Sequence, residues 1–257
     1  MTTAQKIFDV TDKVAFITGA GSGLGRAMAE VLAANGAKLV LFDINADGLK
    51  ATAEGLTGVE VETVTGDVSD EDAVEGAIAT CVSRFGRLDI ACANAGIADP
   101  EPARLDGYKS ANWHKTVGIN LDGVFYVNRA AIREMLKTGG GKVINTASMW
   151  GLAGAAAVAP LPAYTATKGA VVNLTRELGL EYAKDNVQVN AICPGFFDTA
   201  IGDPNDPDFA KATIDFTPMG RTAKAEEIMG SVLYLASSAS DFVTGTSLVI
   251  DGGCAAR

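Results

Sequence analysis

VAFITGAGSGLG, residues 14–25, is a short apolar run that passes directly into a cluster of glycines. Val14–Thr18 is apolar almost throughout, which is typical of a strand buried on both faces of a parallel sheet. Leu24–Asn35 has helical character and is followed by Gly36, a residue type that often ends helices. A strand, a glycine-rich turn and a helix in succession favour pyrophosphate binding, because backbone N–H groups can approach the phosphates closely.

The alternation of strands and helices continues along the chain. Further strands are predicted over Lys38–Asp43, Val59–Gly66, Leu88–Ala93, Lys142–Thr146, Val187–Ile192 and Ser247–Ile250. Helices are predicted over Asp70–Phe85 with Ser69 as the cap, Ser110–Lys137, Tyr164–Lys184 and Lys224–Ser237. This order predicts an α/β fold with right-handed βαβ units. We expect one domain over residues 1–257, with a seven-stranded parallel sheet and helices on both faces.

A long irregular segment, residues 196–220, interrupts this order late in the chain. It is rich in Asp and Pro and carries no clear apolar periodicity. Loops of this length inside compact domains usually have a function, often as a cover over a binding site. We therefore expect a substrate lid here.

Composition limits the classes of partner. The net charge is −10, and an acidic surface repels phosphate backbones, so no nucleic acid partner is expected. The four cysteines are scattered without a CxxC pair, and there is one histidine, so neither a disulfide framework nor a metal site is predicted. The N-terminus does not resemble a signal peptide, and no apolar run reaches about 18 residues. We expect a cytoplasmic protein with no membrane contact.

Asp43 closes the second predicted strand, opposite the glycine turn. A carboxylate there can accept hydrogen bonds from both adenosine ribose hydroxyls, and it repels a 2′-phosphate. The next residue is Ile44, and Arg26 is the one nearby cation in the sequence. This balance predicts NAD rather than NADP as cofactor. The alternatives are a glycine turn without a ligand and an aspartate that caps the following helix.

Tyr164 and Lys168 are four residues apart, so on a helix they share one face. A phenol has a pKa of about 10, which is too high for an efficient acid/base near neutrality. A nearby ammonium stabilises the phenolate and lowers that pKa. The spacing alone is a weak motif, because an exposed tyrosine beside an exposed lysine matches it equally well.

As a set, the motifs resemble the short-chain dehydrogenase/reductase family over nearly the whole chain. In chain order they are Thr18-Gly19-x-x-x-Gly23-x-Gly25, Asp67-Val68, Asn94-Ala95-Gly96, Asn120, Ser148, Tyr164-x-x-x-Lys168 and Pro194-Gly195. The resemblance implies a Rossmann fold and an NAD(H)-dependent oxidoreductase that interconverts a secondary alcohol and a ketone by hydride transfer. Two departures are Ala93, where the family often has asparagine, and a longer segment between Ser148 and Tyr164.

The resemblance implies four catalytic residues. Tyr164 would donate a proton in reduction and accept one in oxidation. Ser148 would hydrogen-bond the substrate oxygen and hold it near Tyr164. Lys168 would bind the nicotinamide ribose and tune Tyr164, and Asn120 would hold a water that links Lys168 to solvent.

The resemblance also implies a set of cofactor-binding residues. They are Gly19, Ser22, Gly23, Leu24, Gly25, Asp43, Asp67, Val68, Asn94, Gly96, Tyr164, Lys168, Pro194, Gly195, Phe197 and Thr199. Within this set, Asp67 and Val68 would lie by the adenine and Asn94 by the adenosine-side ribose. The main chain near Phe197 would bind the carboxamide of the nicotinamide.

Four apolar residues are expected near the substrate. They are Ile97, Trp150, Leu152 and Phe196, and they favour a neutral alcohol or ketone, cyclic or aromatic, although ordinary packing explains each of them equally well. Polar lid residues such as Asp203 or Asn205 would instead select a polyol or a sugar.

Two other functions stay open. An NADPH-dependent carbonyl or acyl-thioester reductase is disfavoured by Asp43. A non-catalytic dinucleotide sensor is disfavoured because the serine, tyrosine and lysine are all present. The resemblance further implies a homotetramer, with one interface on the two long helices and the other on the C-terminal strand and its helix.

Overall fold

The computed structural model describes residues 2–199 and 207–256. Within these residues a parallel sheet of seven strands has the order β3-β2-β1-β4-β5-β6-β7. The strands are β1 Val14–Thr18, β2 Lys38–Asp43, β3 Val61–Thr65, β4 Ile90–Ala93, β5 Gly141–Thr146, β6 Val187–Pro194 and β7 Ser247–Ile250. The predicted sheet is confirmed, and its strand bounds differ from the prediction by at most two residues.

Helices cover both faces of the sheet. They are α1 Thr3–Ile7, α2 Gly23–Ala34, α3 Ala46–Gly55, α4 Glu71–Phe85, α5 Ser110–Val117, α6 Gly123–Thr138, α7 Pro162–Glu181, α8 Pro207–Phe216 and α9 Met229–Ala236. Side chains of α4, α6 and α7 pack with Phe16 on one face, and those of α2, α3 and α9 pack with Ile17 on the other. Successive residues of β1 face opposite sides, which is why an apolar residue is needed at nearly every position.

The sheet has a topological switch point between β1 and β4, because the strands follow each other in one direction from β1 to β3 and in the other from β4 to β7. β1 pairs with β2 on one side and with β4 on the other, so the connections after β1 and β4 run in opposite directions. This arrangement opens a crevice beyond the carboxyl ends of the central strands, where α/β proteins bind their ligands. The glycine turn after β1 and the Asn94 loop after β4 both begin at this crevice.

Two helix predictions needed correction. The helix predicted over Ser110–Lys137 is α5 and α6 joined by a π-helical turn, Gly118–Asp122. The cap of α4 is Asp70, which accepts the N–H groups of Asp72 and Ala73, whereas the Ser69 hydroxyl donates to Asp67. An aspartate and a serine are both good caps, so composition could not choose between adjacent positions.

The lid segment is not irregular throughout, because residues 207–216 form α8. The predicted polar lid residues Asp203 and Asn205 lie outside the described residues. Helix α3 was not predicted at all, since its sequence ADGLKATAEG includes two glycines and buries only Leu49 and Thr52. Asn45 begins this helix by accepting the N–H of Gly48.

Neither a membrane span nor a metal cluster is found in residues 2–199 and 207–256. No helix there is long and apolar enough to cross a bilayer. Over the same part of the chain, His, Cys, Asp and Glu side chains form no group of three that could hold a metal ion.

Candidate active site

The glycine turn between β1 and α2 has a backbone that only glycine fits easily. Gly19 and Gly23 have φ of +67° and +51°, in the left-handed region that side chains disfavour. A Cβ on Gly25 would lie 2.0 Å from the carbonyl oxygen of Gly19. Ser22 begins α2 without a side-chain cap bond. The turn is therefore a cradle of backbone N–H groups at a helix N-terminus, which fits the pyrophosphate of a dinucleotide.

Asp43, at the end of β2, is joined directly to this turn. Its Oδ2 accepts the Gly21 N–H at 2.8 Å, and its Oδ1 accepts the Asn45 N–H at 2.9 Å. Arg26, the cation noted in the sequence, donates to the Gly21 carbonyl at 2.8 Å and to Thr52 at 3.0 Å. The guanidinium therefore ties the turn to α3, and the carboxylate stands beside the turn.

Asn94 ties the ends of three central strands together. Its amide nitrogen donates to the Thr18 carbonyl at 3.0 Å, and its amide oxygen accepts the Thr146 hydroxyl at 3.1 Å. Asp67 accepts both the N–H and the hydroxyl of Ser69. The neighbouring Val68 is buried. The predicted adenosine-side residues thus follow β3 and β4 at the crevice, with Asn94 already paired to protein.

Ser148, Tyr164 and Lys168 meet beyond the end of β5. The Ser148 hydroxyl accepts the Trp150 N–H at 3.1 Å and is also hydrogen-bonded to Tyr164. Tyr164 lies in the first turn of α7, and Lys168 lies one turn later, only 3% exposed. Lys168 Nζ donates to the Thr146 carbonyl at 2.7 Å and lies 5.7 Å from the centre of the Tyr164 ring.

Burial controls the protonation of this group. It raises the pKa of Tyr164, an effect opposed by the hydrogen bond with Ser148 and reinforced by the charge of Asp99. Burial also lowers the pKa of Lys168 from 10.5 to about 8. The expected lowering of the Tyr164 pKa by Lys168 stays a prediction. Desolvation is the largest cause of both shifts, because a charged form is poorly solvated at a buried position.

Asn120 lies in the π-helical turn and is completely buried. Its Oδ1 accepts the Ile97 N–H and its Nδ2 donates to the Ile97 carbonyl, each at 2.8 Å. A Cβ on Gly96 would lie 3.2 Å from Asn120 Oδ1 and 3.3 Å from Lys168 Nζ. The Asn120 side chain thus clamps the loop after β4 close to Lys168, and the water expected to link Asn120 to Lys168 stays a prediction.

The segment after β6 returns to the glycine turn. Gly195 packs so closely on Asp251 that a Cβ would lie 2.7 Å from the Asp251 Cα. Phe197 pairs with Ala223 in a short β-bridge. The side chain of Thr199 would lie 3.3 Å from a Cβ on Gly23. Pro194 and Thr199 therefore span the crevice from the end of β6 to the cradle.

Four aromatic rings form a cluster next to Tyr164. Trp150 packs on Phe196 and Phe216 with ring centres 6.1 and 5.3 Å apart, and Phe196 packs edge-on to Phe209 at 6.5 Å. Tyr164, Phe196 and Phe216 pack against a small apolar core that includes Trp150. Phe209 and Phe216 were missed because α8 was predicted as irregular, although its apolar residues have a helical spacing that could have indicated them.

The other two predicted pocket residues have different surroundings. Leu152 is 40% exposed, and Ile97 is half-buried beside Asn120. Asp99 was also missed by the sequence analysis. It is buried, and it accepts the backbone N–H of Tyr164 at 3.2 Å.

Comparison with known proteins identifies relatives over almost the entire chain. A family model described as enoyl-(acyl carrier protein) reductase matches residues 19–255. Cis-4-hydroxycyclohexanecarboxylate dehydrogenase of Sinomonas cyclohexanicum is 38% identical over 244 residues, which cover 94% of this chain and 96% of that protein.

Two solved structures superpose closely on this one. A short-chain type dehydrogenase/reductase from Mycobacterium marinum has a TM-score of 0.93 and 33% identity, with 98% of each chain covered. The NADPH-dependent 3-quinuclidinone reductase from Rhodotorula rubra has a TM-score of 0.90 and 34% identity, with 100% of this chain and 96% of that chain covered.

The buried ammonium of Lys168 has a consequence for stability. We predict that Lys168→Met abolishes turnover yet stabilises the cofactor-free protein at pH 7 by roughly 1–3 kcal/mol, because it removes a desolvated charge. Between about pH 8 and 10.5 the folded chain has released the Lys168 proton and the unfolded chain still holds it. The free energy of unfolding of the wild type therefore rises with pH in this window, and the stability difference between wild type and Lys168→Met becomes smaller.

Urea unfolding at the two ends of this window measures the effect. Lys142→Met is the matched control, since Lys142 is also largely buried but is paired with Asp241. It should show no gain at either pH. A Lys168→Met protein that is less stable than wild type at pH 7 would contradict the prediction.

Proposed function

The chain belongs to the short-chain dehydrogenase/reductase family, and we propose that it is an NAD(H)-dependent oxidoreductase that interconverts a secondary alcohol and a ketone. The observation that carries the proposal is the meeting of Ser148, Tyr164 and Lys168 at the crevice that also holds the glycine cradle. A dinucleotide held there brings its reactive ring and the proton-transfer residues to one place.

The proposed chemistry divides simply between cofactor and protein. The bound nicotinamide dinucleotide supplies or accepts the hydride. The hydroxyls of Ser148 and Tyr164, which are already hydrogen-bonded to each other, hold the substrate oxygen between them. Tyr164 takes the alcohol proton in oxidation and returns one to the alkoxide in reduction. Lys168 places a cation one helical turn from Tyr164 and binds the nicotinamide ribose.

Several further residues are proposed to bind the cofactor. The pyrophosphate rests on the cradle, and the adenosine half lies along the loops after β2, β3 and β4. The nicotinamide half lies by Gly96 and the segment after β6. Close packing at Gly195 and the approach of the Thr199 side chain to Gly23 support this path, because they bring the segment after β6 to the glycine turn.

NAD is the proposed cofactor because of the charges at the end of β2. The Asp43 carboxylate lies beside the cradle, where it would repel a 2′-phosphate. Arg26 is engaged by the Gly21 carbonyl and Thr52. An NADPH-dependent reductase is the second candidate, favoured by the name of the Rhodotorula rubra structure.

The proposed substrate is a neutral, ring-bearing alcohol or ketone. The rings of Trp150, Phe196, Phe209 and Phe216 form an apolar wall beside Tyr164, and this surface suits a hydrocarbon ring better than a polyol. The name of the Sinomonas cyclohexanicum relative, cis-4-hydroxycyclohexanecarboxylate dehydrogenase, supports the ring in this choice, although the named compound also carries a carboxylate. We propose that residues 196–220 of this single domain act as a substrate lid and that three rings of the wall, Phe196, Phe209 and Phe216, belong to it.

The first test offers a panel of secondary alcohols with NAD⁺ or NADP⁺ and measures the absorbance of the reduced cofactor that forms. We expect turnover with NAD⁺, and faster turnover with cyclohexanols than with polyols. Tyr164→Phe should keep NADH binding and lower kcat by roughly 100-fold or more, because it removes only the transferred proton.

The matched control is Tyr182→Phe, the same change at the far end of α7, which should leave kcat unchanged. Near-full activity of Tyr164→Phe would remove Tyr164 from the mechanism. Tight NADH binding without turnover on any alcohol or ketone would favour the sensor function instead.

Cofactor choice has its own test. Asp43→Ala should lower kcat/KM for NAD⁺ roughly 10-fold or more, because a charged acceptor for the ribose hydroxyls is lost, and should raise kcat/KM for NADP⁺. Asp47→Ala, a charge loss of the same size at an exposed position of α3, should change neither value. An unchanged cofactor ratio in Asp43→Ala would show that selectivity lies elsewhere.

A homotetramer is the proposed assembly. Apolar side chains are exposed on α6 and α7, where Phe125 is 45% and Leu180 79% exposed, and near the edge strand β7, where Phe242 is fully exposed and Val249 41% exposed. Apolar patches on two different surfaces fit two interfaces per subunit. Light scattering should give the mass of four chains, and a monomer would refute the assembly.

A further inference from the structure

Asp99 is a buried carboxylate that the proposed chemistry does not use. It lies in the loop after β4, five residues beyond Asn94, and is 4% exposed. Its Oδ1 accepts the Tyr108 hydroxyl at 2.7 Å, the Tyr164 N–H at 3.2 Å and the Thr116 hydroxyl at 3.4 Å. One oxygen thus joins three segments of the chain.

The contact with Tyr164 serves as a helix cap supplied from a distance. Helix α7 begins after Leu161, whose side chain has no acceptor for the exposed N–H groups of the first turn. Asp99, 65 residues earlier, accepts the N–H of Tyr164 in that turn. A carboxylate at a helix N-terminus is also favoured by the helix dipole. The cap therefore fixes the backbone of the residue that carries the proton.

Asp99 is poorly arranged for stability alone. Its second oxygen, Oδ2, is buried and has no hydrogen-bond partner among the described residues. A buried carboxylate oxygen without a partner is costly, and a serine or threonine at position 161 would cap α7 without that cost. A serine or threonine cap at position 161 would lack the negative charge that Asp99 brings.

We propose that Asp99 is a positioning residue for Tyr164, which it holds by the backbone while placing a fixed negative charge beside the first turn of α7. This inference rests on the proposed function, in which Tyr164 transfers the proton. The charge disfavours the phenolate and favours the protonated phenol. That is the form that donates a proton when a ketone is reduced.

The electrostatic surroundings of Tyr164 agree with this role. The titratable groups that face it are Lys168 on its own helix, Cys193 on β6 and Asp99 on the loop after β4, with Tyr108 acting through Asp99. Asp99 contributes to the raised pKa of Tyr164, after burial. The Tyr108 hydroxyl disperses part of the Asp99 charge by donating to it.

The test is the pH profile of kcat/KM for alcohol oxidation, in which Tyr164 must be the phenolate. Asp99→Asn keeps the shape and removes the charge, so the rising limb of the profile should move to lower pH. Tyr108→Phe keeps the charge and removes the hydrogen bond that disperses it, so the limb should move to higher pH. Asp89→Asn is the control, because Asp89 is a similarly buried carboxylate near the amino end of β4, and it should leave the limb in place.

These outcomes separate a positioning role from a structural one. An Asp99 that only stabilises α7 would lower the melting temperature when replaced and leave the pH profile where it was, and that result would overturn the proposal. Tyr108→Phe carries the test alone should Asp99→Asn not fold, and a limb that stays or moves to lower pH would then overturn it.

A second measurement does not depend on turnover. Ultraviolet difference titration of tyrosinate in the NAD⁺-bound protein, with Tyr164→Phe subtracted, reports the ionisation of Tyr164 directly. Asp99→Asn should move this titration to lower pH. If wild type oxidises no alcohol, the proposed function fails, whereas an unmoved tyrosinate titration refutes the role of Asp99.

Discussion

Asn94 joins the carboxyl ends of β1, β4 and β5 by bonding to Thr18 and Thr146. Three parts of the proposed site follow directly from these ends. The glycine cradle follows β1, the loop with Gly96 and Asp99 follows β4, and Ser148 follows β5. A side-chain amide can hold three strand ends at once because it donates and accepts in one plane. If this tie were lost, the cradle and the proton-transfer group could shift relative to each other.

Two charged side chains of the site, Lys168 and Asp99, are buried. The Lys168 ammonium is satisfied by the Thr146 carbonyl, and the Asp99 carboxylate is satisfied on one oxygen only. Both arrangements are unfavourable for folding by themselves, since desolvation opposes a buried charge. Their positions next to Tyr164 give them an electrostatic effect on its proton that exposed charges, screened by solvent, would lack.

The close packing at the glycines explains why the cradle and the catalytic residues keep their spacing. Gly25 touches the Gly19 carbonyl, and Gly96 lies against both Asn120 and Lys168. At these points backbone occupies the space that a side chain would need. The aromatic wall is built differently. Phe209 and Phe216 come from α8, Trp150 comes from the segment after β5, and Phe196 comes from the segment after β6. The proposed cofactor path is thus lined by backbone at these glycines, and the proposed substrate surface is made of side chains.

The sequence by itself determined the sheet, its parallel strands and the order of the motifs, because a strand buried on both faces leaves a continuous apolar run and a close backbone approach leaves glycines. It also indicated Tyr164 and Lys168 as neighbours, since four residues make one helical turn. Only the tertiary structure decided what depends on contacts between distant segments. Asp99 meets Tyr164 across 65 residues, Asn120 pairs with the backbone of Ile97, and burial raises the pKa of Tyr164. Periodicity reports on neighbours within one element, whereas burial and long-range hydrogen bonds exist only after the elements have packed.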